Sequence, residues 1–278
     1  MAQKIVLKLG GSAITYKSAT YFPMGIDDIK RDADKYIRRV DVSRLASEIR
    51  QAMDESGSQM VVINGAGPFG HYLVAKSAPG DTVRESVAFL NGKVVYELRR
   101  AGIDAVPIPP SESCTFDGER FDIGYLWDTA KLLLEETKVP STYGDFLKSA
   151  PEKGISEKII SGDDLAVLIA ELWKADMVVM AADVDGYYTY NPKKSGARLI
   201  KTVYASSGRV VLADQPPTIG SGDVGDMHDM TGGMEAKVRK LKPLAIKGIT
   251  GRLINGTVPG NVKAALLGDE SFGTSIVA

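Results

Sequence analysis

Met60-Val-Val-Ile-Asn-Gly-Ala-Gly-Pro-Phe-Gly-His71 passes from an apolar run into three closely spaced glycines and a histidine. Met60 to Ile63 is apolar and β-branched, too short for a helix and suited to a buried strand. Gly65, Ala66, Gly67 and Gly70 follow at once, and Tyr72 to Lys76 can start a helix. Strand, glycine-rich turn and helix N-terminus together set bare backbone N–H groups at the positive end of a helix dipole. That geometry suits a phosphate. His71 stands at the helix start, where its imidazole can reach the same anion. Glycines kept only for a tight, well-packed turn are the alternative that this stretch leaves open.

The spacing Gly65-x-Gly67-x-x-Gly70 also fits a dinucleotide-binding fingerprint. That reading needs a second strand ending in an acidic residue roughly 20 residues on, to hold a ribose. The segment from Thr82 to Arg100 reads as helix instead, which argues against hydride transfer.

With 278 residues and 44% hydrophobic content, the chain is long enough to bury a full core, as one large domain or two lobes. A formal net charge of −1 gives no broad field to attract nucleic acid or anionic lipid. One cysteine, Cys114, excludes an internal disulfide and fits a reducing compartment. Met1-Ala-Gln-Lys4 leads straight into a strand, with no signal-peptide core and no membrane-spanning run. A cytoplasmic protein is the expectation.

Upstream of the glycine turn, Lys4-Ile-Val-Leu-Lys-Leu9 is a first strand closed by Gly10-Gly11-Ser12. It carries Lys8, and Lys17 follows shortly after. A lysine in a buried strand is costly unless it meets a negative group, so Lys8 beside a glycine turn points to an anion. The alternative is a side chain that snorkels to solvent from the strand end. Ser18 to Arg39 reads as a polar surface excursion, partly helical, that can close over the site. Asp41 or Ser43 then caps a helix with apolar Leu45, Ile49 and Met53, and Gly57 ends it. Strand and helix alternate through this half, which predicts an α/β fold around a largely parallel sheet.

Downstream, Val83 to Arg99 is helical, Ala105 to Ile108 a strand, Phe116 to Phe121 a small hairpin and Asp128 to Glu136 a helix. Val139 to Asp145 reads as a strand end and turn. In Ile159-Ile-Ser-Gly-Asp-Asp-Leu165, Asp163 reads as the helix cap. Asp164 is left to favour the helix dipole or to hold lysine side chains. Asp176 to Ala182 is a strand, and Asp183-Val-Asp-Gly-Tyr-Tyr-Thr-Tyr-Asn-Pro192 leaves its C-terminal end, where ligands bind in open α/β sheets. Its carboxylates, glycine and tyrosines suit a nucleoside, although a plain turn with surface tyrosines gives the same pattern. Asp229-Met-Thr-Gly-Gly-Met234 is a third glycine turn opening a helix, and Lys237 lies on its first turns. Arg252 to Gly256 reads as strand and turn, Asn261 to Leu267 as a short helix, and Gly273 to Ile276 as a last strand.

Glycine turns at helix starts, lysines beside them, a histidine and an organising aspartate are what phosphoryl transfer between two bound phosphates requires. Its transition state spreads charge over equatorial oxygens, so catalysis is mostly positioning and electrostatics. The chain has no Gly-x-x-x-x-Gly-Lys-[Ser/Thr] loop, no His-Arg-Asp or Asp-Phe-Gly set and no cysteine–histidine cluster for zinc.

In their order, Lys4 to Ser12, Ile160-Ser-Gly-Asp-Asp164, Asp183-Val-Asp-Gly186 and Asp229 to Met234 resemble the amino-acid kinase superfamily. Gly65-Ala-Gly-Pro-Phe-Gly-His71, Ile254-Asn-Gly256, Ala264 to Gly268 and Gly273-Thr274 resemble its isopentenyl phosphate kinases in particular. The resemblance implies a three-layer αβα sandwich and an ATP- and magnesium-dependent kinase acting on an alkyl monophosphate, in an archaeal-type mevalonate route to isoprenoids. It also implies a homodimer; the charge balance and the lack of a membrane-spanning run point to no nucleic-acid or membrane partner, and no side chain is expected to ligate a metal. The single domain would divide into an acceptor-binding lobe, 1–155, and a nucleotide-binding lobe, 156–278. By motif, His71 would bind the acceptor phosphate and Lys8 the transferring group. Lys17 and Lys237 would hold ATP phosphates, and Asp164 would orient the lysines. Gly10, Gly11, Ser12, Gly65, Ala66, Gly67, Gly70 and Gly162 would cradle the acceptor side. Lys8, Gly10, Asp183, Asp185, Gly186, Tyr188, Gly232, Gly233 and Met234 would line the nucleotide.

The chain departs from that pattern at Asn64, where the family has histidine, at Pro140-Ser-Thr-Tyr-Gly-Asp145, and in the length of the 18–39 excursion. All three lie on the acceptor side. A phosphonate kinase of the fosfomycin-resistance type shares the Phe-Gly-His element. Molybdenum-storage proteins resemble Asn255-Gly-Thr-Val-Pro-Gly260 but lack the Gly-His and Thr-Gly-Gly-Met elements.

Overall fold

Along the chain, β1 (Lys4–Leu9) leads through α1 (Gly11–Ile14), α2 (Ile26–Asp32) and a 3-10 turn to α3 (Arg39–Ser56) and β2 (Gln59–Asn64). Next come α4 (Pro68–Ala75), α5 (Gly80–Arg100), β3 (Ala105–Pro107), α6 (Pro110–Ser113), β4 (Thr115–Phe116), β5 (Phe121–Asp122) and α7 (Gly124–Glu135). The strands β6 (Val139–Tyr143), β7 (Asp145–Leu147) and β8 (Lys158–Ile160) precede α8 (Gly162–Trp173) and β9 (Met177–Ala182). The remainder is β10 (Tyr187–Tyr188), β11 (Leu199–Tyr204), β12 (Val210–Leu212), α9 (Gly233–Ile246), β13 (Thr250–Asn255), α10 (Asn261–Leu266) and β14 (Thr274–Val277). This is a computed structural model, and it describes residues 2–16, 22–148, 157–192, 194–213 and 233–278.

Among the described residues a ten-stranded sheet runs β10-β11-β14-β13-β9-β1-β2-β6-β3, with β12 also paired to β11. Pairing is parallel without a break from β13 through β9, β1, β2 and β6 to β3. It turns antiparallel where β14 meets β13 and at β10 and β12. The central strands alternate sides with the period of two that a pleated strand imposes. Ile5, Leu7, Leu9, Met60, Val62, Val179 and Ala181 join a core shared with α3, α4, α5 and α10. Val6, Val61, Ile63, Val178 and Met180 join the opposite core, shared with α7, α8 and α9. Helices on both faces of a mostly parallel sheet make the expected three-layer αβα sandwich. Leu9, Asn64 and Ala181 stand in register, so β1, β2 and β9 end at one level. The glycine turns therefore leave the sheet side by side. No helix among the described residues is long and apolar enough to cross a membrane.

Several boundaries differ from the sequence expectation. Helix α4 opens at Pro68, before Tyr72, because proline fits the first helical position. Helix α3 opens at Arg39, with Arg38 in the cap position and Asp41 inside the first turn, where Arg38 and Arg44 pair with it. Ser161, not Asp163, caps α8. Strands β11 and β12 were not legible from the sequence; in β11 only Ile200 and Val203 are buried, and a register shift between Ile200 and Thr202 breaks the period of two. The hairpin β4–β5 forms as expected.

The largest correction concerns the excursion. Lys17 to Tyr21 lie outside the described residues, but the segment from Phe22 to Arg39 is not surface decoration. Ile29, Tyr36 and Ile37 are buried, and the Phe22 side chain is 0% exposed. Its ring packs edge-on to Tyr36 and Phe69, with centroids at 4.7 Å and 5.0 Å. The segment closes back on the body through a Thr15–Ile37 bridge. The buried Ile29, Ala33, Tyr36 and Ile37 recur at helical spacing, but the charged residues between them give the segment a polar composition that concealed it. Phe69 sits on α4 two residues before His71, so this aromatic contact braces the helix that carries the histidine. Replacement Phe22→Ala is expected to cost about 3–5 kcal/mol, the usual cost for a fully buried phenylalanine. Urea denaturation of the variant beside wild type checks it, and a loss below about 1 kcal/mol would mean that the segment is only draped on the surface.

Candidate active site

Lys8 follows Val6 on the face of β1 that looks toward α8, and it is the last residue but one of that strand. Its side chain is 8% exposed, and its ammonium lies 2.8 Å from Asp163 on the first turn of α8. Lys237, on the second turn of α9, donates to the other oxygen of the same carboxylate at 2.9 Å. One aspartate thus holds two ammonium groups from two different layers of the fold. Burial pushes the Lys8 ammonium below the ordinary lysine value, although Asp163 pulls it back up. Burial alone would raise the Asp163 carboxyl, but the charges of Lys8 and Lys237 outweigh it and hold Asp163 well below the usual carboxylate range.

The sequence expectation gave that organising role to Asp164, and the structure corrects it. Asp164 closes a capping box: its backbone N–H donates to the Ser161 hydroxyl at 3.1 Å, and its carboxylate accepts from the Ser161 N–H at 3.3 Å. Its other oxygen accepts from Lys240 at 2.6 Å. A capping box occupies the third helical position, which here is Asp164, and leaves its neighbour Asp163 to face β1. The α8–α9 contact is therefore tied by two adjacent ion pairs, Asp163–Lys237 and Asp164–Lys240.

The two glycine turns meet backbone to backbone. A Cβ on Gly65 would stand 2.5 Å from the Gly11 nitrogen, and one on Gly11 would stand 2.5 Å from the Gly67 nitrogen. Gly67 also has φ +51, which favours glycine. Close packing is thus one reason for these glycines, and the closeness of the turns fixes where their N–H groups point. Gly10 donates to Ala181 and Gly65 to Leu9, each at 2.7 Å, which anchors both turns to the ends of the sheet.

Above them opens a cleft of about 830 Å³. Of the residues expected at the site, Lys8, Gly10, Gly11, Ser12, Gly67, His71, Asp183, Gly186, Tyr188, Gly233, Met234 and Lys237 line it. Gly65, Ala66, Gly70 and Gly162 are not on its wall but shape the turns and the helix start behind it. Asp185 is not on the wall either. Its carboxylate accepts from the Asn255 amide at 2.8 Å and from the Tyr188 hydroxyl at 3.2 Å. Lys17 and Gly232 lie outside the described residues. Tyr187, Tyr190 and Asn191, from the stretch whose tyrosines suit a nucleoside, line the cleft too, and Tyr72 lines it without having been singled out.

His71 opens to the cleft, yet the cleft walls desolvate it in part. That desolvation, and then the positive charge of Lys8, hold its imidazole below the ordinary 6.5. The surroundings therefore favour the neutral form of the ring.

A family model described as the amino acid kinase family matches residues 3–255. The chain belongs to that family and is a phosphotransferase, as its kinase relatives below indicate. It is 33% identical to the isopentenyl phosphate kinase of Methanothermobacter thermautotrophicus, over 98% of each chain. It is 28% identical to that of Methanocaldococcus jannaschii, over 98% of this chain and 97% of the other. A solved isopentenyl phosphate kinase structure superposes with a TM-score of 0.74 at 31% identity, covering 99% of this chain and all of the other. Within the family, then, the likeness runs to isopentenyl phosphate kinases, over nearly the whole length.

The positive field at His71 can be read directly. In ligand-free protein its ring protons should titrate below 6.5 by NMR, and Lys8→Met should move that midpoint up, since a positive neighbour has been removed. Inorganic phosphate should raise it as well. A midpoint at or above 6.5 in the free protein, unmoved by Lys8→Met, would overturn this account of the cleft.

Proposed function

We propose that the protein transfers the γ-phosphoryl group of ATP to isopentenyl phosphate, giving isopentenyl diphosphate and ADP. The observation that carries this reading is the buried Asp163 carboxylate holding Lys8 and Lys237 together at the floor of a cleft with His71 on its wall. The full-length likeness to isopentenyl phosphate kinases supports the choice of acceptor.

In this mechanism the acceptor's phosphate sits at the Gly65–Gly70 turn, facing His71. A phosphate monoester is largely dianionic near neutral pH, its second pKa being about 6, so its oxygen attacks without a general base. The new bond joins that oxygen to the γ-phosphorus. The bond from γ-phosphorus to the β–γ bridging oxygen breaks, and ADP leaves with the electron pair. Lys8 and Lys237 meet the charge that builds on the transferring group, and Asp163 keeps both in place, the task the sequence reading gave to Asp164. The incoming phosphate favours a protonated His71, which then donates a charge-assisted hydrogen bond. Lys17 and Gly232 would serve the ATP phosphates.

Among the described residues no group of three or more His, Cys, Asp or Glu side chains is placed to hold a metal ion. The site fits magnesium carried on the ATP phosphates and their waters, where it would neutralise charge on the β- and γ-oxygens. The acceptor side would draw mainly on residues 1–155 and the nucleotide side on 156–278, in a cytoplasmic homodimer.

A coupled assay of ADP release over isopentenyl phosphate, dimethylallyl phosphate, fosfomycin and nucleoside monophosphates tests the acceptor. Isopentenyl phosphate should give the highest kcat/KM, and preference for fosfomycin or a nucleoside monophosphate would sink the proposal. The two aspartates separate in the same assay. Asp163→Asn should lower kcat about 10²–10³-fold, as loss of transition-state stabilisation does. Asp164→Asn should mainly lower the melting temperature through its weakened cap, a loss of about 1 kcal/mol. Equal effects on kcat would return the organising role to both.

A further inference from the structure

We infer that Asn255 and Thr274 are positioning residues for the nucleotide: they clamp the turn Asp183–Tyr188 against the sheet, and Asp185 belongs to that clamp. The inference rests on the ATP reading of the cleft given above. Asp183, Gly186, Tyr187 and Tyr188 form one wall of the cleft, and the strand that holds them, β10, is only two residues long. Backbone pairing with β11 at Tyr187 and Tyr188 is too little to fix a wall.

The pairing continues for one further bond, from the Thr189 N–H to the Arg198 carbonyl, and two polar side chains add to it. Thr274 is the first residue of β14 and is 0% exposed. Its hydroxyl oxygen accepts from the Tyr187 N–H at 2.8 Å and donates its own proton to the Ile200 carbonyl at 2.6 Å. The hydroxyl therefore bridges the turn to β11, with its direction fixed by the carbonyl. The approach is close: a Cβ on Gly186 would stand 2.6 Å from that oxygen. Only a glycine lets the turn settle onto Thr274.

Asn255 ends β13, in register with Ala182, the last residue of β9. Its carbonyl oxygen accepts from the Thr257 N–H at 3.0 Å and from the Thr257 hydroxyl at 2.6 Å. A backbone N–H can only donate, so the amide is fixed with its NH₂ toward Asp185, at 2.8 Å. The second Asp185 oxygen accepts from the Tyr188 hydroxyl at 3.2 Å, which ties a ring of the cleft wall to the clamp. Both oxygens of Asp185 are thus engaged in holding the turn. This gives the segments Ile254-Asn-Gly256 and Gly273-Thr274 a role that a strand and a turn alone did not explain.

The test has a nucleotide-free arm and a nucleotide arm. Thr274→Val removes the hydroxyl at nearly constant shape, and Thr274→Ser keeps it. Hydrogen exchange without ligand should show the Tyr187 amide losing protection in Thr274→Val and keeping it in Thr274→Ser. The ATP Kd by calorimetry and the ATP KM should rise about tenfold in Thr274→Val, the worth of roughly one hydrogen bond. The acceptor KM should stay within about twofold, and Thr274→Ser should recover most of the loss. A partner arm guards against a Thr274→Val that does not fold. Asn255→Asp sets two carboxylates face to face and should weaken ATP about as much, while adding Asp185→Asn restores one amide–carboxylate bond and should recover binding. Unchanged Tyr187 exchange with unchanged ATP binding in Thr274→Val, or a double variant no better than Asn255→Asp alone, would overturn the clamp. Wild-type protein that binds no ATP would instead sink the nucleotide reading, while the exchange arm still reports on the clamp.

Discussion

The Asp163 carboxylate lies between two ammonium groups and is mostly hidden from water. A buried charge left unpaired costs several kcal/mol, so none of the three groups is tolerable there alone. Together they satisfy one another and leave a net positive charge pointed into the cleft. That requirement reaches through the fold. Lys8 must stand near the end of β1, on the face toward α8. Helix α8 must begin directly above it, and α9 must lie alongside so that Lys237 reaches the same oxygen pair. The second pair, Asp164–Lys240, braces that alignment from the next position.

Around this charge centre the backbone does the rest. The turns after β1 and β2 touch so closely that side chains at Gly11 or Gly65 would collide with the facing main chain. Their contact sets the width of the cleft floor and the direction of its N–H groups, at the shared end of parallel strands where open α/β sheets bind ligands. The cost is conformational, since glycine loses more freedom on folding than other residues. Anchoring of each turn to a neighbouring strand carbonyl offsets part of it.

The two sides of the cleft are held by different means. On the His71 side, Phe22, Tyr36, Phe69 and Tyr72 form an apolar wedge under α4, so the histidine's position depends on shape and packing. On the tyrosine-rich side the wall is a short turn fixed by side-chain hydrogen bonds from Thr274 and Asn255. Directional bonds specify a turn that has little apolar surface to bury, whereas a helix with a hydrophobic face needs no such device.

Much of the site was legible in the sequence because its signals are local. A strand, glycines and a helix start within about a dozen residues announce an anion turn, and Lys8 beside Gly10 announces a cation at its edge. The alternation of apolar runs with helical segments likewise fixes the α/β class. The packing of Phe22 to Ile37 was hidden, because the charged residues between Ile29, Ala33, Tyr36 and Ile37 outweigh their helical spacing when the segment is read by composition. Neither could the sequence choose between Asp163 and Asp164. Adjacent residues on a helix point about 100° apart. Which one faces Lys8 and Lys237 depends on the rotation of α8 about its axis, set by Leu165 and Ile169 in the core and by Ser161 at the cap. The same holds for Asp185, whose partner Asn255 lies 70 residues away. Residue type and local spacing determined which chemistry the chain carries; long-range packing alone decided which carboxylate faces the charge and which holds the wall.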